Sequence, residues 1–272
     1  MYGSPRHRIA NVASRLIGHG SFHAMPAVIA TPRQLLGLKV GAKYSQGSTS
    51  GLGAATISYV TSAEDTSATS FSQSMSWGTA NVNRKIIVSV SMLDHEFEST
   101  PTVSGVTVGG DAATLVTSDG NAGGRLYIFA IDKASGASGT VAVSFSGTVR
   151  HISVYIHRLI STNVTAWDTD VAVSNPGTSS NPQHTPQLDM PANSCLLILA
   201  GAASNDSDSA APFTWSSLGA VDAAQSDSSG NDAEIQSLDV VGATTHNETI
   251  TYNLTSAIDS QMVGFVAASW TA

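Results

Sequence analysis

Leu126-Tyr127-Ile128-Phe129-Ala130-Ile131-Asp132 decides the fold. Leu126, Ile128 and Ala130 fall on one side of an extended chain and Tyr127, Phe129 and Ile131 on the other, so the segment reads as a strand buried on both faces. A turn over residues 133–138 follows. Then comes Thr140-Val141-Ala142-Val143-Ser144-Phe145, in which Val141, Val143 and Phe145 alternate with Ala142 and Ser144. A long strand ending at Leu159 closes the series, with Ile152, Val154 and Ile156 alternating against His151, Ser153 and Tyr155.

Working outward, the same order returns. Ile235 to Val241 is followed by a turn over residues 242–247, then Thr249 to Leu254, then a strand ending at Trp270. Lys85 to Leu93 likewise corresponds to Ser194 to Ala202. Phe71, Gln73, Met75 and Trp77 share a face, and Val103, Val106 and Val108 lead into the turn Gly109-Gly110-Asp111. β-branched and aromatic residues fit a pleated, half-buried surface. Each strand that points three apolar side chains inward gains at most roughly 5–9 kcal/mol by burial. The pattern predicts an all-β fold: a jelly-roll-like β-sandwich over residues 57–272, built from similar halves at about 57–165 and 166–272 that cover each other's apolar faces.

Residues 1–50 show no such alternation. Asn11 to Ile17 fits a helical turn or two, and Thr31-Pro32 starts a short one. The Ser/Gly-rich run Ser45 to Gly53 has linker composition and sets a boundary. Charge divides at nearly the same place. Up to Ser62 there are six basic residues (Arg6, Arg8, Arg15, Arg33, Lys39 and Lys43) and no acid, whereas all twenty acids lie beyond it with the other six bases. This predicts an extended N-terminal arm that docks on a partner, joined to an acidic, water-facing body. Apolar residues within the arm, among them Ile9, Leu16, Ile17, Leu35 and Leu36, favour a protein partner. Six charges with little aromatic interleaving argue against nucleic acid.

Only 12% of residues are charged, so solubility rests on hydroxyl and amide groups and on net charge. Cys195 is the only cysteine, which excludes an internal disulfide. It reads as a small buried hydrophobe. No apolar run approaches the roughly 20 residues of a membrane helix. The first residues lack the apolar core of a secretory signal, so the chain is expected to be made in a cytosol and kept whole.

The series Met75-Ser76-Trp77, Lys85 to Val90, Gly105-Val106-Thr107-Val108-Gly109-Gly110, Leu126 to Phe129 and Ser138 to Gly147 resembles β-sandwich structural proteins of tailed bacteriophages and bacterial surfaces. The resemblance covers about residues 57–272 and excludes the arm. It implies a virion component of the head-decoration or fibre and adhesion type, and supplies no catalytic residue.

Asp94-His95-Glu96-Phe97-Glu98 would split its ligands between two faces and reads as a solvated loop. Asn205 to Ser209 and Asp227 to Asp232 are oxygen-rich but lack the closing Glu of a calcium loop, so no metal or other cofactor is expected. His151, Tyr155 and His157 share a strand face, read as partly exposed, with a ligand stripe or subunit contact as the alternatives. Gly18-His19-Gly20-Ser21 is not a nucleophile elbow. Trp77 and Trp270 sit where tryptophan closes a sandwich core, while Trp215 is the candidate glycan contact.

The expectation is therefore a non-enzymatic virion structural protein, assembled in a host cytoplasm. It is anchored to other virion proteins through residues 1–50 and homo-oligomeric. The alternative is a carbohydrate-binding adhesion module.

Overall fold

A computed structural model describes residues 53–93, 101–174, 182–204, 213–216, 221–226, 231–247, 249–252 and 260–272. Residues 49–272 pack as one unit. The arm, with its predicted helical turns and cations, lies outside the described residues.

The strands of the first half are β1 (Thr56–Ser76), β2 (Arg84–Leu93), β3 (Val103–Val108), β4 (Asp111–Ala112), β5 (Thr114–Asn121), β6 (Gly124–Asp132) and β7 (Ser138–Ile160). Those of the second are β8 (Asp168–Ser174), β9 (Gln183–His184), β10 (Gln187–Met190), β11 (Ser194–Ser204), β12 (Phe213–Trp215), β13 (Ala223–Ser226), β14 (Asn231–Val240), β15 (Thr244–Asn247), β16 (Ile250–Tyr252) and β17 (Ser260–Trp270). The described body is all-β, a jelly-roll-like sandwich of two similar halves.

The frame of the first half is two very long strands. β7 runs unbroken where the sequence pattern reads two strands, and β1 extends back through the Ser/Thr-rich segment that carries no apolar alternation. They pair antiparallel with two register shifts, a one-residue irregularity between Tyr59 and Thr61 and, farther along, a jump of the β1 partner from Val149 to Ser144 between Ala68 and Ser70. This bulge is a corner. Beyond it the early part of β7 pairs with β3, and the later part pairs with β2. The sheet thus folds over a core of its own: Phe71, Met75, Trp77, Val106, Val108, Val141 and Val143 meet Ile86, Val88, Val90, Tyr127, Phe129, Val154 and Ile156. Tyr127 Oη accepts the Val103 N–H across the fold at 3.3 Å.

The second half repeats the arrangement. The order β13-β14-β11-β17-β8 matches β5-β6-β2-β7-β1, and β12-β16-β9 matches β3-β7-β1 beyond the corner. Its own core holds Leu188, Leu196, Ile198, Phe213, Ile250, Tyr252 and Phe265. The two halves then stack. Ile87, Leu126, Ile128, Tyr155 and Leu159 of the first pack on Cys195, Leu197, Leu199, Ile235, Met262, Val266 and Trp270 of the second. Each half therefore covers one face of its main sheet by itself, and the halves share only the other. That is why β2 is buried at all ten positions.

The faces fix the repeat register. Ile86, Val88 and Val90 point into the first half's own core and are equivalent to Leu196, Ile198 and Ala200, which point into the second's. Arg84–Leu93 therefore aligns with Ser194–Ala203, one residue from the sequence pairing. A one-residue slip would exchange the two faces.

Candidate functional site

The stacked faces carry a polar seam as well as an apolar core. β7 contributes His151, Ser153, Tyr155 and His157, all fully buried. This corrects the expectation of a partly exposed strand face, because the second half covers it. Tyr155 Oη donates to the Ala233 carbonyl at 2.9 Å, crossing between halves. Burial raises its phenol well above the usual range.

His157 Nε2 lies 3.1 Å from Asp222 Oδ2, which also accepts from Ser237 Oγ at 2.6 Å. A carboxylate only accepts, so Nε2 carries the proton and Nδ1 is a bare acceptor. Burial pushes the His157 pKa down, and the hydrogen bond and charge of Asp222 oppose that only in part. The ring of Tyr59 meets His157 edge-on, with centroids 5.5 Å apart. Closer to the corner, His151 Nε2 donates to Glu64 Oε2 at 3.3 Å. Two further bonds cross the seam, from the Ile57 N–H to Asp239 Oδ1 at 2.7 Å and from Gln225 Nε2 to Ser62 Oγ at 3.0 Å.

Trp215, the candidate glycan contact, stands on β12. It is half-buried against the second-half core. Its indole N–H donates to Glu234 Oε2 at 2.8 Å. Glu234 is itself buried, which raises its pKa against these hydrogen bonds. Trp167 is the more open indole, 42% exposed at the start of β8. Trp77 and Trp270 are buried in the first-half and central cores, as expected. Cys195 is buried and its thiol pKa raised by desolvation, so it packs as a hydrophobe.

The segment Asp94 to Glu98 and the loop Asn205 to Ser209 lie outside the described residues. Of the other oxygen-rich loop, Asn231 and Asp232 are in fact buried strand residues, and Asp232 Oδ2 accepts from Tyr252 Oη at 3.1 Å. Among the described residues no three His, Cys, Asp or Glu side chains group as metal ligands.

Arg84 is the residue the sequence reading passed over. It is 1% exposed and has no acid among its hydrogen-bond partners. Instead its guanidinium donates to the carbonyls of Gly78, Lys133, Ser135 and Gly136 at 2.6–2.7 Å. It ties the turn between β6 and β7 to the start of β2. Three other cations of the body are engaged too: Lys85 pairs with Asp132, Lys133 with Asp111 at 2.6 Å, and Arg158 Nε donates to the Thr79 carbonyl. The arrangement fastens halves and turns. Ser174 Oγ and His184 Nε2 stand 3.1 Å apart at partly exposed positions, but His184 Nε2 also donates to the Val263 carbonyl at 3.1 Å, so the ring nitrogen that faces the serine carries a proton and is no base for it.

No family model matches the chain, and no curated protein matches it significantly.

Proposed function

We propose that the chain is a non-enzymatic structural protein of a tailed-phage particle. Residues 1–50 bind neighbouring virion subunits, and residues 57–272 are displayed as a rigid β body, in a homo-oligomeric assembly made in the host cytoplasm. One observation carries the reading: the packed unit begins at Thr49, beside the point where charge changes from purely basic to strongly acidic. The body has three cores of its own, and the arm's cations and apolar residues are read as the contact with a partner. The resemblance of the strand series supplies the particle type and ranks head decoration and tail fibre together. Deleting residues 2–45 should leave the melting temperature of the body within a few degrees while abolishing incorporation into particles. Normal incorporation of the truncated protein would remove the anchoring role.

A second reading is a carbohydrate-binding module for a bacterial surface glycan. Trp215 supports it, because Glu234 locks an indole at the half-exposed position a sugar face would stack on. The isolated body should then bind glycans on an array, and Trp215→Ala should lower the affinity at least tenfold. An array that stays blank with and without calcium would dismiss this reading.

A further inference from the structure

Besides Nδ1 of His157, four polar atoms between the halves make no hydrogen bond of good geometry among the described residues: Oγ of Ser89, Ser91 and Ser153, and Nδ1 of His151. All four residues are fully buried. They form one patch. Ser91 is directly opposite Ser153, Ser89 lies two residues along β2, and His151 two residues along β7, all on the face that meets the second half. Nε2 of His151 is engaged by Glu64, which leaves Nδ1 as the unpartnered ring atom.

The second half is an internal control. In the register that matches faces and pairing, Ser89 and Ser91 are equivalent to Leu199 and Gly201, and His151 and Ser153 to Met262 and Gly264. The same strands thus stack without a polar atom at any of these places. The fold does not demand the patch. Across from it the second half offers small residues: Ala233, whose carbonyl holds Tyr155, Gly201, which abuts Leu126, and Ala203. Facing sheets stand about 10 Å apart.

We propose that this patch is a built hydration site, where about one or two internal water molecules bridge Ser89, Ser91, Ser153 and His151 and seal the polar end of the interface. Water suits this set, because it can pair with an imidazole nitrogen as donor or as acceptor and both donates to and accepts from hydroxyls. Three neutral hydroxyls and one imidazole make a poor cation site, and among the described residues no Lys or Arg is recorded in contact with the patch for an anion.

The test uses the full-length protein. Oxygen-17 magnetic relaxation dispersion counts water molecules that outlive tumbling. The wild type should show about one or two more than the Ser91→Val/Ser153→Val variant, which carries methyl groups in place of two of the hydroxyls. If that variant fails to fold, Ser89→Ala with Ser91→Ala takes its place, and a crystal structure of the wild type near 1.5 Å resolution gives the second measurement. Full-occupancy water peaks within about 3.5 Å of at least two of the four atoms are expected. Equal dispersion in wild type and variant, absence of such peaks, or density too large for water would each overturn the assignment.

Discussion

His157 shows how a single side chain reports on the stacking of the halves. It is fully buried, and desolvation lowers its pKa below the ordinary histidine value of about 6.5 despite Asp222. The unfolded chain then binds the proton first, so stability is full above about pH 7 and is lost as pH falls through 6.5 toward the folded value. His184, also lowered by burial, acts in the same direction. The raised carboxyls of Glu234 and Asp239 act oppositely, adding stability below about pH 4 that is lost as pH rises toward their folded values. Asp222, the edge of Tyr59 and, through Asp222, Ser237 face His157. His157→Gln keeps a donor for Asp222 but cannot titrate. Its urea midpoint should therefore fall less than that of the wild type between pH 7.5 and 5.5, and parallel profiles would contradict the assignment. The sequence shows Cys195 as a core residue because it sits in an apolar run, and Trp77 and Trp270 because they fall at strand ends where tryptophan closes a sandwich core. It does not show the burial of His151 and His157, because alternation looks the same whether one face of a strand is covered or both. Their cover comes from residues far along the chain: Asp222 is 65 positions away from His157. Arg84 was hidden for a related reason, since its partners are carbonyls, which leave no mark on residue type.

At the scale of elements, the close approaches of strands set the tolerance to added atoms. A Cβ on Gly264 of β17 would stand 2.5 Å from the Ala172 carbonyl oxygen of β8, a backbone atom that the pairing Gly264–Val173 holds in place. A Cβ on Gly201 of β11 would stand 2.7 Å from Leu126 Cδ2, the tip of a side chain that can rotate. Both sites have ordinary strand backbone, so neither substitution is penalised by left-handed geometry. Gly264→Ala should therefore cost more than Gly201→Ala, about 2–3 against about 1 kcal/mol. Urea unfolding of the two variants measures this, and equal losses would mean that β8 yields as easily as a leucine methyl. Most strands could be found from period-two patterning, but the length of β1 and β7 could not. The residues around the corner, Ser67 to Ser70 and Ser146 to Thr148, are small and polar, and resemble a loop in composition. Pairing with the neighbouring strand makes them a continuous bend.

For the whole molecule, the question is whether two similar halves behave as one. Each owns a core, which would allow independent unfolding. They also share a third, and Leu126, Leu197, Leu199, Met262, Val266 and Trp270 would be laid open if either half unfolded alone. The bonds that cross the seam, Tyr155 to Ala233, His157 to Asp222 and Ile57 to Asp239, would lose their partners at the same moment. Exposing such a face costs about 25 cal/mol per Å², and a buried polar group left unpartnered costs about 1–3 kcal/mol more. The shared terms rival the net stability of a whole domain, about 5–15 kcal/mol, so the halves should unfold together. The tryptophans provide a direct reading, since Trp77 sits in the first-half core, Trp270 in the central core and Trp215 beside the second-half core. Three variants, each retaining one of these and carrying Phe at the other tryptophans, should give unfolding curves that coincide within their own stability after correction for the substitutions, with one common slope. A Trp215 curve with its own midpoint and a shallower slope, alongside an unchanged Trp77 curve, would show the halves to be separate domains that merely touch.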